Sequence, residues 1–189
     1  CQIMVYWYSV DVNIDIKKEA KMFDTIGQIE GNIGFGYDIH QLVPTRKLII
    51  GGVEIDYHLG ALAHSDGDVL IHALIDAILT GIGSLDIGSH FPDTDKKYAG
   101  IDSTILLSEV MTICNDKGYK INNVSITVIL EEPKLQDYIP VMKVKLANLL
   151  KIKTSDIGIA AKTNEKSGLV GNSKAIIAFV AVSLNKTTD

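Results

Sequence analysis

Ile71, Ile75, Ile78 and Ile82 recur at helical spacing and predict a helix over residues 67–82. A second apolar stripe, Leu107, Val110, Met111 and Cys114, predicts a helix over 103–117 that Gly118 stops. A third helix is predicted over 137–150, with Pro140 tolerated in its first turn. Runs of β-branched and alternating apolar residues predict strands over 33–40, 47–50, 123–130, 157–163 and 175–184, and Gly51-Gly52 marks a turn after the second. Residues 83–100 read as a turn-rich loop. Helices alternating with few strands predict an α/β (α+β) sandwich, a roughly four-stranded mixed sheet with helices packed on one face.

The first 31 residues follow a different pattern. Met4-Val-Tyr-Trp-Tyr-Ser-Val10 predicts a short strand, and a charged stretch over 11–30 follows in which no chemistry is legible. Residues 1–31 therefore read as an N-terminal extension of unknown role ahead of one domain over 32–189, a length that supports a single core. Gly31, Gly34 and Gly36 resemble a dinucleotide loop only superficially. They lie within a strand, and Ile39 stands where that fingerprint needs its last glycine.

Charge narrows the partners. The formal net charge is −5 and no basic stripe occurs, which argues against nucleic acid. Arg46 is the only arginine among 18 basic residues, so any phosphate handling falls to metals, lysines and backbone N–H groups rather than to guanidinium forks. Cys1 and Cys114 form neither a disulfide framework nor a zinc-finger spacing, and Cys114 is expected to be a buried free thiol. No apolar run approaches the ~18 residues that a bilayer span needs, so no membrane partner is expected. The chain begins at Cys1, so an upstream targeting segment is expected to have been removed. With an Ile-, Lys- and Asn-rich composition, this points to a plastid-type organelle (apicoplast or chloroplast) if the source is eukaryotic, and otherwise to the cytoplasm.

The candidate chemistry is grouped. Asp38 and His40, two apart on a strand, project from one face and together suit a divalent metal such as zinc. His72 is the natural third ligand. Asp68 and Asp76 flank it one turn either way on a polar stripe, and one of them, Asp76 above all, is expected to hold its free ring nitrogen. Ser65-Asp66-Gly67-Asp68 has the form of a capping box, and His64 beside it can donate to a phosphoryl oxygen at a helix N-terminus. Asp86, Asp93 and Asp95 can bind hydroxyls or a metal, or simply make turns. Thr163 can bond a phosphate oxygen and Glu165 can hold a hard cation such as Mg²⁺. Taken singly, Asp38–His40 reads rather as a hydrogen-bonded strand end and Asp68–His72–Asp76 as a solvated helix face.

The ordered set decides between these readings. Gly36-Tyr-Asp38-Ile-His40, Gly51-Gly52, His64-Ser-Asp-Gly-Asp68, His72-Ala-Leu-Ile-Asp76-Ala77, Gly88 to Phe91-Pro-Asp-Thr-Asp95, Glu132-Pro-Lys-Leu135 and Thr163-Asn-Glu-Lys166 occur in sequence. Over residues 33–186 the chain resembles the 2-C-methyl-D-erythritol 2,4-cyclodiphosphate synthase family of non-mevalonate isoprenoid biosynthesis. The resemblance implies conversion of 4-diphosphocytidyl-2-C-methyl-D-erythritol 2-phosphate to the cyclodiphosphate with release of CMP. It implies one Zn²⁺ on Asp38, His40 and His72, and Mg²⁺ or Mn²⁺ on Glu165. It gives His64 and Thr163 catalytic roles, and Ser65 a substrate contact. Asp86, Ile87 and Gly88 match the segment that holds the erythritol hydroxyls, with Phe91, Pro92, Asp93, Thr94 and Asp95 in the loop beside it. Leu130, Pro133, Lys134 and Leu135 match a cytidine pocket, and Lys162 and Asn164 flank Thr163. The family's homotrimers place each site between two subunits.

Departures are few. Lys162 and Asn164 stand where many members carry threonines. Leu169 replaces a frequent Phe, and Asn172 replaces an Arg that lines a cavity on the trimer axis, so the resemblance leaves a second anion site there open. The rival readings are a zinc phosphohydrolase and a non-catalytic trimer with structural zinc.

Overall fold

The computed structural model describes residues 31–187. The predicted strand at 4–10, and the N-terminal extension apart from Gly31, lie outside them. Seven strands and three long helices organise the domain. β1 (Gly31–Val43) leads through the hairpin β2 (Leu48–Ile50) and β3 (Val53–Ile55) to the short β4 (Gly60–Leu62). Helix α1 (Val69–Gly81) follows, then a one-turn α2 (Ile87–His90) and helix α3 (Ser103–Asp116). The chain continues through β5 (Tyr119–Ile129), α4 (Ile139–Leu150), β6 (Ile157–Lys162), a short α5 (Gly168–Gly171) and β7 (Ala175–Lys186).

The main sheet has the order β4-β1-β7-β5-β6. β7 is its spine, antiparallel to β1 from Gly31↔Asn185 to Gln41↔Ala175 and antiparallel to β5 on its other side. β5 and β6 run parallel, joined across α4, so the sheet is mixed as expected. Four long strands match the predicted count, and the three-residue β4 adds an edge. The strand predicted at 47–50 does not join this sheet. Gly51 (φ 60°) and Gly52 (φ 73°) turn it back into the separate β2–β3 hairpin.

Alternation fixes which face is core. Ile176, Ala178, Val180, Val182 and Leu184 of β7 all point inward and are buried. α1 lies across β1 and β7 on that side. It is covered by the sheet and by α3, so Val69, Leu70, Leu74 and Leu79 are buried along with the predicted isoleucine stripe. Gly34 and Gly36 explain the glycine run. A Cβ at Gly36 would lie 1.9 Å from Ala73 O, and one at Gly34 would lie 1.7 Å from Ala77 O. Their absence lets the strand rest directly on the helix backbone. The opposite face of β1 carries Ile33, Phe35, Tyr37 and Ile39, all exposed. Cys114 is a buried free cysteine, and burial raises its thiol to about 11. No helix among the described residues is long and apolar enough to cross a membrane.

Candidate active site

β1 and α1 meet at the site. Gly36, Asp38 and His40 project from the same face of β1, and His72 precedes the Ala73 against which Gly36 packs. Asp38 Oδ2, His40 Nε2 and His72 Nδ1 form a near-equilateral triangle with edges of 3.1, 3.0 and 3.1 Å. The side chains are 24%, 15% and 12% exposed, so the group is shielded yet reachable. A proton can bridge only one edge of such a triangle, which leaves other lone pairs facing each other. A cation at its centre satisfies all three. Zinc arms of about 2.0–2.2 Å set tetrahedral ligand atoms about 3.3–3.6 Å apart, so the triangle needs to open by only a few tenths of an ångström. Two imidazoles and a carboxylate suit that ion, and the fourth direction stays free.

The two histidines differ electrostatically. Burial lowers the pKa of His40 despite the neighbouring Asp38 charge. Burial also acts to lower that of His72, but the hydrogen bond and charge of Asp38 outweigh it, with help from Asp68 and Asp66, and the net shift is upward. The remaining nitrogen of His72, Nε2, faces Ser103 Oγ at 2.9 Å and Ser65 Oγ at 3.0 Å.

This corrects the expectation that a flanking carboxylate holds that nitrogen. The Asp76 carboxylate instead accepts from the Ile87 N–H at 2.7 Å, tying α1 to α2. Burial raises its pKa against that bond. Nor is Asp68 part of a solvated stripe. It is fully buried and is itself the N-cap of α1, accepting from Ile71 N at 3.0 Å, Gly51 N at 2.9 Å and Gly52 N at 2.5 Å. Burial pushes its carboxyl up to about 6 against those three bonds. Ser65 does not cap the helix, as the capping-box form suggested. Its hydroxyl accepts from Gly67 N at 3.2 Å and faces His72.

The triad opens into a cavity of about 520 Å³. His64, Ser65, Asp76, Ile87 and Gly88 line it, as do Phe91, Pro92, Asp93 and Thr94 from the loop. Tyr98, Ile101 and Leu106 complete the wall and carried no signal beyond apolar periodicity. Asp86 and Asp95 do not line it. Asp86 caps α2 through Ser89 N at 2.9 Å, and hydrogen bonding from the Ser89 hydroxyl and then its N–H lowers its pKa; Asp95 accepts from Lys97 N at 3.0 Å to start a 3-10 turn.

Residues of the second predicted cluster lie elsewhere. A smaller pocket of about 160 Å³ is lined by Leu130, Pro133, Lys134, Leu135, Lys162 and Thr163, together with Glu131, Gln136 and Ala161. It shares no lining residue with the triad cavity. Beside it, Thr163 Oγ1 donates to Glu165 Oε1 at 2.7 Å. Glu165 and Lys166 both adopt left-handed backbone (φ 50° and 60°), costing about 1–3 kcal/mol each in a non-glycine residue. Glu131, which the sequence did not single out, braces that turn by accepting from Asn164 N at 3.1 Å and Lys166 N at 3.4 Å. Asn164 spends its side chain on Ser167 O at 2.8 Å.

Comparison with known proteins agrees with this geometry. The profile of the YgbB family matches residues 31–185. A 2-C-methyl-D-erythritol 2,4-cyclodiphosphate synthase of Brachyspira hyodysenteriae is 48% identical over 155 residues, covering 82% of this chain and 98% of the relative. The chain belongs to the 2-C-methyl-D-erythritol 2,4-cyclodiphosphate synthase family. A member from Geotalea uraniireducens is 49% identical over 154 residues, with 82% and 98% covered. Among solved structures, an IspF of Plasmodium falciparum in complex with CDP superposes with a TM-score of 0.74 at 35% identity, covering 86% of this chain and all of that one. The bifunctional IspDF from Campylobacter jejuni gives a TM-score of 0.81 at 36% identity, covering 84% of this chain and 43% of that one. The family match begins where the described residues begin, at Gly31.

Proposed function

We infer that this chain is a 2-C-methyl-D-erythritol 2,4-cyclodiphosphate synthase, which closes the cyclic diphosphate of 4-diphosphocytidyl-2-C-methyl-D-erythritol 2-phosphate and releases CMP. The observation that carries the reading is the Asp38–His40–His72 triangle at the mouth of a cavity, in a chain that matches this family along nearly its whole described length. A 2-phosphate oxygen bonds to the phosphorus nearer the erythritol, the bond from that phosphorus to the bridging oxygen breaks, and the cytidylate departs with that oxygen. The nucleophile is part of the substrate, so the protein's task is alignment and charge neutralisation.

Asp38, His40 and His72 hold Zn²⁺, which when bound polarises a phosphate oxygen as a Lewis acid. His64, exposed on the cavity wall, donates to the phosphoryl group as its charge develops, and Ser65 binds the same end. Ile87 and Gly88, on the α2 turn that Asp86 caps, with Phe91 to Thr94 beyond it, enclose the erythritol. Lys134 and its neighbours take the cytidine. The CDP complex of the Plasmodium relative supports a ligand of that type. Thr163 and Glu165 attend the diphosphate, Glu165 through Mg²⁺ or Mn²⁺.

The two halves join between subunits of a homotrimer. Two features support this: the triad cavity and the lysine-bearing pocket have no lining residue in common, and β1 presents the bare face Ile33, Phe35, Tyr37 and Ile39. The decisive experiment is product analysis with the diphosphocytidyl substrate. Equimolar CMP and cyclodiphosphate are expected, whereas release of inorganic phosphate would make the protein a phosphohydrolase.

A further inference from the structure

Helix α3 opens at Ser103, whose side chain is completely buried. The helix does not need this hydroxyl as a cap, because Asp102 already accepts from Thr104 N at 2.8 Å. The Ser103 hydroxyl lies 2.5 Å from Asp66 Oδ1, and the Ser103 N–H donates to Asp66 Oδ2 at 3.1 Å. An ionised carboxylate only accepts, so the serine proton points at Asp66. The oxygen's lone pairs then face the other way, 2.9 Å from His72 Nε2. With an acceptor at Nε2 the ring keeps a proton there, so once a cation takes the place of the proton that Nδ1 shares with Asp38, the Nδ1 lone pair is the one set free. Nδ1 is the atom that meets Asp38 and His40.

We propose that Ser103, oriented by Asp66, fixes His72 in the Nε2–H tautomer and aims its Nδ1 lone pair into the triangle with Asp38 and His40. It is a positioning residue, and its role rests on the reading of those three side chains as metal ligands. Ser65 alone does not set the tautomer. Its hydroxyl lies 3.0 Å from the same nitrogen, but it accepts from Gly67 N and has no carboxylate to fix the direction of its own proton. The same staple reaches the cavity wall. Asp66 N donates to Ile101 O at 3.0 Å and Gly100 N to His64 O at 2.7 Å, so the segment bearing His64 and Ser65 is held to the segment that delivers Ser103.

The test uses the full chain. Nitrogen NMR of the Zn²⁺-loaded protein is expected to show His72 bound through Nδ1 with an Nε2–H protected from exchange with water, S103A exchanging that proton faster and S103T keeping the wild-type rate. Zn²⁺ affinity, measured by competition with a chelator, should fall about 10- to 100-fold in S103A and recover in S103T, the usual scale for removing a group that orients a metal-bound histidine. A helix-start role alone would lower thermal stability without moving either readout. Zn²⁺ held by His72 through Nε2 in the wild type overturns the proposal, and so does S103A with unchanged exchange and affinity. If S103A does not fold, the nitrogen that binds Zn²⁺ in the wild type still decides. If the wild type takes up no Zn²⁺, the metal reading fails, and a protected His72 Nε2–H in the metal-free protein keeps the ring-orienting role of Ser103.

Discussion

Gly36→Ala tests whether the seating of a strand on a helix backbone sets the metal triangle. The added Cβ would fall 1.9 Å from Ala73 O, 2.7 Å from Ala77 N and 2.9 Å from Ala73 C. Carbon contacts are comfortable near 3.5 Å, so β1 and α1 must part by about 1 Å or more. The obstacle is helix backbone, which cannot rotate aside as a side chain would. Asp38 and His40 lie two and four residues along the same face, and His72 adjoins Ala73, so the separation passes into edges now 3.0–3.1 Å long. A triangle opened by about 1 Å is too wide for zinc arms of about 2.0–2.2 Å. Overpacking of this kind costs about 1–3 kcal/mol. At about 2–4 °C per kcal/mol for a chain of this size, the melting temperature should drop by up to about 12 °C. Zn²⁺ affinity should fall more than about tenfold on the same orienting logic. Gly34→Ala carries an equal clash one helical turn farther from the triad, so it should lose comparable stability but less metal affinity. Gly158→Ala, whose Cβ meets nothing nearer than 3.9 Å, is the control. Wild-type melting and Zn²⁺ affinity in G36A would refute the argument.

Three further outcomes follow from the same geometry. Zinc binding requires neutral imidazoles. Because the pKa of His72 is raised above 6.5, the logarithm of Zn²⁺ affinity should climb with pH through neutrality with a slope near one, and His40, lowered by burial, should add a second proton only in acid. In D38N the curve should move to lower pH, since the Asp38 bond and charge oppose the lowering of His72, while the plateau affinity drops; an unmoved curve contradicts this. Glu165→Gln should keep its zinc and its CMP binding yet lose turnover, partly restored by raised Mg²⁺; normal turnover at low Mg²⁺ makes Glu165 a surface residue. Asp68→Asn can present only one acceptor oxygen to the N–H groups of Gly51, Gly52 and Ile71, so urea unfolding should show a loss of about 1–3 kcal/mol, and a change within about 0.5 kcal/mol counts against the buried cap.

Local periodicity made the long elements legible. The isoleucine stripe gave α1, and the i, i+2 spacing of Asp38 and His40 gave two ligands on one face before any contact was known. The partners that orient these groups were not legible, because they come from far along the chain. Asp68 caps α1 but also binds Gly51 and Gly52, 17 and 16 residues away, and His72 meets Ser103 across 31 residues. From spacing alone, a carboxylate at i+4 looked the better partner for His72; the structure uses Asp76 to anchor α2 instead. Asp86 and Asp95 read equally as binders and as turn formers, and their carboxylates are engaged in caps. β4 is three residues long and had no pattern to detect.

Charge gives the site its division of labour. Among the described residues that line the triad cavity, Asp38, Asp76 and Asp93 are carboxylates and none is lysine or arginine. A cavity so lined repels a phosphate, and neutral imidazoles do not reverse the sign. In the proposed reaction the anionic end of the substrate would therefore need a cation, which Asp38, His40 and His72 could hold, with His64 and Ser65 as donors beside it. The smaller pocket has the opposite character, with Lys134 and Lys162 on its wall and Glu165 beside Thr163 at its edge. Lysines there can hold a nucleotide phosphate without a metal, while Glu165 can recruit one for the diphosphate between. Neither pocket alone meets both needs of a phosphate attacking a diphosphate. Each has what the other lacks, which supports the proposal that the two meet between neighbouring subunits.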